Sequence, residues 1–139
     1  MEIKEYQEKS FFAIQKHDDQ KDEVLNWMVG LFEEVGEIAN IVKHTYYGDE
    51  AIQLEEIAKE VGDALWYLSA ICTTLGLDLD TCATMNIGKL HHRFAQGKFD
   101  NEQSKDRHNN EVAFCETEEY KRLANRLMFL TAEAVMRKE

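Results

Sequence analysis

Two pairs of carboxylates draw attention by their spacing. Glu34 and Glu37 are three residues apart, and so are Glu60 and Asp63. On a helix that spacing puts both side chains on one face, with Cβ atoms about 5–6 Å apart. Such a pair suits joint coordination of a hard cation. If two helices bring both pairs to one partly buried space, the four like charges raise each other's pKa and cost stability unless something positive sits among them. Mg2+ prefers oxygen ligands and keeps several waters, which leaves room for a phosphate. Acids beside a core seam are most often solvated helix faces, but three features weigh against that reading. The pattern occurs twice. Gly30, Gly36 and Gly62 sit inside helical stretches at about 1 kcal/mol each relative to alanine, which implies close approach of another group. Aromatics, Trp27 and Tyr67, share the acidic stripes. A di-iron bundle would show Glu-x-x-His on two helices, and neither pair ends in histidine.

A cationic set lies downstream. Asn86, Lys89 and Arg93 are spaced to share one helix face. Lysine binds phosphate as a point charge, and arginine can engage it through two hydrogen bonds; taken alone, such a run is more often a basic face making surface ion pairs. Lys43, near the end of its helix, complements the helix dipole and could also reach phosphate. Trp27, Trp66 and Tyr67 each suit core filling as well; of these Trp27 is the better candidate for stacking on a base, whereas Trp66 points away from the expected seam, toward another helix or a subunit interface. His91 and His92 are adjacent and diverge on a helix. His17, His44 and His108 are isolated.

Apolar periodicity places these residues on helices. A short first helix is expected from Glu2 to about His17, followed by the polar break HDDQKD with Asp19 as N-cap. A second helix, from about Lys21 to His44, carries Val24, Met28, Leu31, Val35, Ile38 and Val42 as its core stripe. Trp27, Gly30, Glu34, Glu37 and Ile41 form a second stripe displaced by a quarter to a third of a turn. Gly48 and Asp49 mark the next break. A third helix, from about Ile52 to Leu75, has Ile57, Val61, Ala64, Leu68, Ile71 and Leu75 as core, with Glu56, Glu60, Asp63 and Tyr67 beside it. Gly76 stops it, and Asp78 caps a fourth helix, from about Leu79 to Phe94, that buries Cys82, Ala83, Asn86 or Ile87, Leu90 and Phe94. Residues 99–115 are polar and read as a loop or arm. A last helix, from about Thr117 to Lys138, places Tyr120, Leu123, Ala124, Leu127 and Ala134 on one side.

The chain has 139 residues, a net charge of −11 and no proline. Absence of proline and scarcity of glycine disfavour architectures that need many tight turns, and an all-α fold is expected. Between residues 17 and 63 thirteen acidic residues face three basic ones. That surface repels phosphodiester backbones and argues against nucleic-acid binding. Three cysteines without CxxC spacing argue against a disulfide framework or a zinc site. The opening MEIKEYQEKS carries no signal-peptide stretch, and no run approaches the ~18 apolar residues of a membrane span. A cytoplasmic, membrane-free protein is the expectation.

The matched stretches are GLFEEVGEIANIVKH and EEIAKEVGDALWYLSAICTTLGLDLDTCATMNIGKLHHRF. They resemble MazG-like members of the all-α nucleoside triphosphate pyrophosphohydrolase superfamily. The family's EExxE and ExxD stand here as Glu33-Glu34-x-x-Glu37 and Glu60-x-x-Asp63, with Asn86, Lys89 and Arg93 as the downstream run and Tyr6-Gln7 as the opening YQ. The resemblance covers about residues 5 to 100. It implies a four-helix core in residues 1–100, with 101–139 as an added polar loop and C-terminal helix in the same domain, serving oligomerisation or lid formation. It further implies hydrolysis of (d)NTP between the α and β phosphates, with Mg2+, or Mn2+ in its place, held by Glu34, Glu37, Glu60 and Asp63. Glu33 and Glu34 would act on the water, while Trp27, Lys43, Tyr67, Asn86, Lys89 and Arg93 bind substrate. A homodimer or homotetramer would be the assembly. The alternatives are a nucleotide-sensing bundle without turnover and a phosphoribosyl-ATP pyrophosphohydrolase.

Overall fold

The computed structural model describes residues 1–14, 19–48 and 51–136, with side chains described as far as residue 127. Among the described residues the chain is all-α. It contains α1 (Ile3–Ser10), a 3-10 turn (Phe11–Ala13), α2 (Gln20–Tyr47), α3 (Leu54–Leu75), α4 (Leu79–Arg93), α5 (Asn101–Lys105), α6 (Arg107–Cys115) and α7 (Glu118–Met136). The four helices expected for the core are present as α1 to α4, and the added C-terminal helix as α7. The expected roles of His17 and Asp49 at breaks, of Ala134 on the last helix and of Lys138 as its end lie outside the described residues. No helix among the described residues is long and apolar enough to cross a membrane. The chain divides into two compact units, Met1–Leu75 and Gly76–Glu139.

In the first unit α2 and α3 form an antiparallel pair. Asp19 caps α2 by accepting from the Lys21 backbone N–H at 2.8 Å, and Asp22 and Glu23 in the first turn suit the helix dipole. Gly76, at φ +69°, ends the segment after α3 in the left-handed region glycine favours. Pairing runs from Gln20, whose amide donates to the Thr74 carbonyl at 2.6 Å, through Trp27, whose indole N–H donates to the Thr74 hydroxyl at 3.1 Å. That hydroxyl in turn donates to Glu23 at 2.9 Å. The first helix is shorter than expected. The Ser10 hydroxyl donates to the Gln7 carbonyl and pairs with Ser69 at 2.8 Å, and the chain tightens to 3-10 before turning extended at Ile14. Hydroxyl-to-backbone bonds of this kind compete with helix continuation. Gln7 also donates to Thr73 at 3.2 Å and fastens α1 to α3.

The buried seam of this hairpin is rotated from the expected one. Val35 is 50% exposed and Val61 52%, with Val42, Leu68 and Leu75 also exposed. Val24, Met28, Leu31 and Ile38 of the expected stripe remain half-buried on α2, as do Ile57, Ala64 and Ile71 on α3, and Trp27, Gly30, Glu34, Ile41, Glu60, Tyr67 and Thr74 join them. A cluster of aromatics sets the rotation: Trp27 meets Trp66 edge-on at 5.5 Å and Tyr67 at 6.4 Å, and Trp66 meets Tyr67 at 5.0 Å.

In the second unit Asp78 caps α4. It accepts from the Thr81 N–H at 3.0 Å and from the Thr81 hydroxyl. Arg126 of α7 reaches the same carboxylate at 3.2 Å and Asp80 at 3.3 Å. On α4, Asn86 and Ile87 are exposed, contrary to expectation, while Thr81, Gly88 and Arg93 are buried. The expected loop at 99–115 is instead α5 and α6. Asp100 caps α5 through the Gln103 N–H at 2.9 Å, and α6 is anchored by Phe114, 3% exposed. A Cβ on Gly88 would stand 3.0 Å from the Phe114 ring, so glycine lets this ring close on α4. The three cysteines are thiols.

Candidate divalent-cation site

The shift of the seam brings Glu34 and Glu60 inward. One carboxylate oxygen each from Glu34, Glu37 and Glu60 lies within 4.8 Å of the others. Glu34 and Glu60 are half-buried and Glu37 is exposed. Burial pushes the Glu34 carboxyl above its ordinary pKa, as do a hydrogen bond with Glu60 and the charges of Asp63, Glu37 and Glu60. Asp63 is exposed and outside the close trio, though its charge reaches Glu34. Among the described residues none of the four acids forms a salt bridge; the neighbouring cation Lys59 is paired with Glu56 at 2.6 Å.

The site is built on Gly30. A Cβ there would lie 2.3 Å from the Tyr67 ring, so only glycine admits the ring across the hairpin one turn before Glu34. The close approach expected at three glycines is met at Gly30 alone; Gly36 and Gly62 face open space. Burial, then the charges of Glu34, Glu33 and Asp63, hold the Tyr67 hydroxyl above its ordinary pKa. Tyr6 on α1 is likewise raised by burial and by Asp63. Sequence reasoning gave Tyr6 no role, although the YQ dipeptide contained the signal. Trp27 is 4% exposed, with its indole committed to Thr74. It fills core here and offers no face for stacking. Glu33 is exposed on α2, and Lys43 is exposed near its C-terminal end.

In the second unit Asn86 is exposed, whereas Lys89 and Arg93 are held by Glu111 of α6 at 3.8 Å and 3.0 Å. Sequence reasoning missed Glu111 because its segment was read as loop. Its i, i+4 spacing from Arg107 was the available helical signal.

The donor set fits a hard divalent ion. It is all oxygen, formally anionic, unpaired with cations among the described residues and close enough for one ion to bridge. Fold and site thus define an all-α protein with a carboxylate cluster on a helical hairpin. Residues 22–97 match the MazG nucleotide pyrophosphohydrolase domain, and the chain belongs to that family. Over 73 residues it is 33% identical to the Gene 37 protein of Mycobacterium phage L5, an alignment covering 50% of this chain and 64% of that protein. The chain therefore matches somewhat less than two-thirds of this relative's length. No solved structure matches it.

Proposed function

We propose that the protein is a Mg2+-dependent nucleoside triphosphate pyrophosphohydrolase, cleaving (d)NTP between the α and β phosphates to (d)NMP and pyrophosphate. The observation that carries this reading is the meeting of Glu34, Glu37 and Glu60 within 4.8 Å without a counter-cation among the described residues, inside a chain of the MazG family. Glu34, Glu37, Glu60 and Asp63 would hold Mg2+, with Mn2+ able to replace it. The bound ion would supply charge neutralisation for the phosphates and a lowered pKa for a coordinated water.

The chain's own residues contribute in distinct ways. Glu33 and Glu34 orient the attacking water and accept its proton. Tyr67, fixed over Gly30, sets the wall beside Glu34. Lys89 and Arg93 hold phosphate oxygens and stabilise charge on the departing pyrophosphate, with Asn86 at the sugar or phosphate and Lys43 as a further phosphate ligand. The name of the phage relative states no activity, so substrate choice rests on chemistry alone. Leu25, Val29 and Phe32 form an exposed apolar run on α2, which supports assembly as a homodimer or homotetramer.

The test is a screen of common and damaged nucleoside triphosphates with Mg2+, reading pyrophosphate. Glu37→Gln and Asp63→Asn should each lower turnover at least about 100-fold with helix content unchanged, a loss of the size expected for removing a group that acts on the transition state. Nucleotide binding with no product from the wild-type chain would instead support the sensing bundle.

A further inference from the structure

A second charged cluster stands in the unit formed by residues 76–139. The Glu111 Oε1 atom collects three cations: Arg93 donates through Nη2 at 3.0 Å, Arg107 through Nε at 3.0 Å, and Lys89 Nζ lies at 3.8 Å. Three positive charges thus meet one carboxylate, and all three use the same oxygen. The cluster is also short of acceptors. The Arg93 side chain is only 9% exposed, its guanidinium stands 5.8 Å from the Phe94 ring centroid, and its buried Nε has no hydrogen-bond partner among the described residues. A buried donor left unmade is costly. A single glutamate is a poor match for that donor set. A phosphoanhydride carries more charge and more acceptor oxygens, and guanidinium pairs with phosphate through two parallel bonds.

We propose that Lys89, Arg93 and Arg107 form a cradle for a phosphoanhydride group, and that Glu111 is its internal occupant, displaced when the phosphate arrives. The proposal rests on the reading above in taking phosphate as the anion at Lys89 and Arg93. It adds Arg107 and Glu111, which lie beyond residue 97, where the family match ends. Arg107 and Glu111 are neighbours on one face of α6, so one short helix supplies both the third cation and the placeholder. Glu111 is 34% exposed, so it can swing into water without unpacking a core. Arg93, its side chain only 9% exposed, stays packed on α4. The contact lowers affinity for weak anions and admits only a ligand charged enough to outcompete a tethered carboxylate.

The test is calorimetric titration of the full chain in EDTA with inorganic pyrophosphate and, separately, with ATP. E111Q keeps the shape and removes the competing charge, and should bind pyrophosphate about tenfold tighter than wild type, as expected when a charge-assisted contact no longer competes. R107Q changes a side chain that is 66% exposed, so the fold is kept, and should bind about fivefold more weakly. Tightening in E111Q with both probes assigns the cradle to the anhydride wherever it is carried; tightening with pyrophosphate alone assigns it to the free ion. No tightening with either probe, in an E111Q chain of wild-type helix content, overturns the proposal. Should E111Q fail to fold, R107Q decides, and unchanged affinity in R107Q overturns it. Without metal the titration does not draw on the carboxylate cluster, so this result and the hydrolysis result can fail independently.

Discussion

Glu34 is the residue on which the acidic cluster presses hardest. Its carboxyl is raised by burial, by Glu60 and by the surrounding charges, so it binds a proton more tightly folded than unfolded. The sign follows from linkage. Below the ordinary carboxylate range Glu34 is protonated in both states and contributes nothing. As pH rises from that range through its raised folded value, the charged form is penalised in the folded state and stability is lost. Melting temperatures of the metal-free chain should therefore fall across that window, and Glu34→Gln should flatten the fall and melt higher than wild type at neutral pH. A lower melting temperature for Glu34→Gln in EDTA would show that repulsion is not what the cluster stores. Glu111 has the opposite sign. Chiefly its hydrogen bond with Arg107 lowers its pKa, so its stabilisation is present above the ordinary carboxylate range and fades as pH drops through the lowered value. The four acids, Lys89 and Arg93 could be picked out from residue type and spacing. For Trp27 both core filling and base stacking stayed open, because an aromatic on an acidic stripe looks the same whether it faces a base or a core; its burial decides for core.

At the scale of elements, the helices were readable where periodicity was strong and the caps explicit. Asp19, Gly76 and Asp78 act as expected. The seam was placed only in part: Val24, Met28, Leu31 and Ile38 lie in it as expected, whereas Val35 and Val61 are exposed and the packed rings of Trp27, Trp66 and Tyr67 shift it toward the acidic stripe. The error matters physically: an aliphatic seam would leave the acids beside the interface, and the aromatic seam draws Glu34 and Glu60 into it. Gly30 is the hinge of that packing. Gly30→Ala gains about 1 kcal/mol of helix propensity but drives a Cβ into a ring held by two tryptophans, for a net loss of about 1–2 kcal/mol by urea unfolding. It should also displace Tyr67 and lower activity. Helices α5 and α6 escaped notice because α6 is held by one aromatic and an ion cluster and lacks an apolar stripe. Phe114→Ala should accordingly destabilise the chain by about 3–5 kcal/mol, the cost of removing a buried phenylalanine, read in the same denaturant series.

At the scale of the whole molecule, charge is the organising quantity. Most of the net −11 lies between residues 17 and 63, so the hairpin carries both the candidate cation site and the repulsion that a cation would relieve. A ligand that binds only the folded chain raises its apparent stability. The all-α class and the family were readable from one sequence because both reside in helical pattern and in acid spacing. The two-unit division at residue 75 was not, since nothing in composition marks the α3–α4 turn as different from other caps. Sedimentation at micromolar concentration should give a dimer or tetramer, and a monomer would leave Leu25, Val29 and Phe32 without the role given them here.

The cation site itself is tested most directly by titrating the chain with Mn2+ and following the free ion by electron paramagnetic resonance, for wild type and for Glu60→Gln. Wild type should show saturable binding that Mg2+ displaces, and Glu60→Gln should weaken it at least about tenfold, as loss of a carboxylate ligand requires. Equal binding by the two chains, or none by either, would contradict the account.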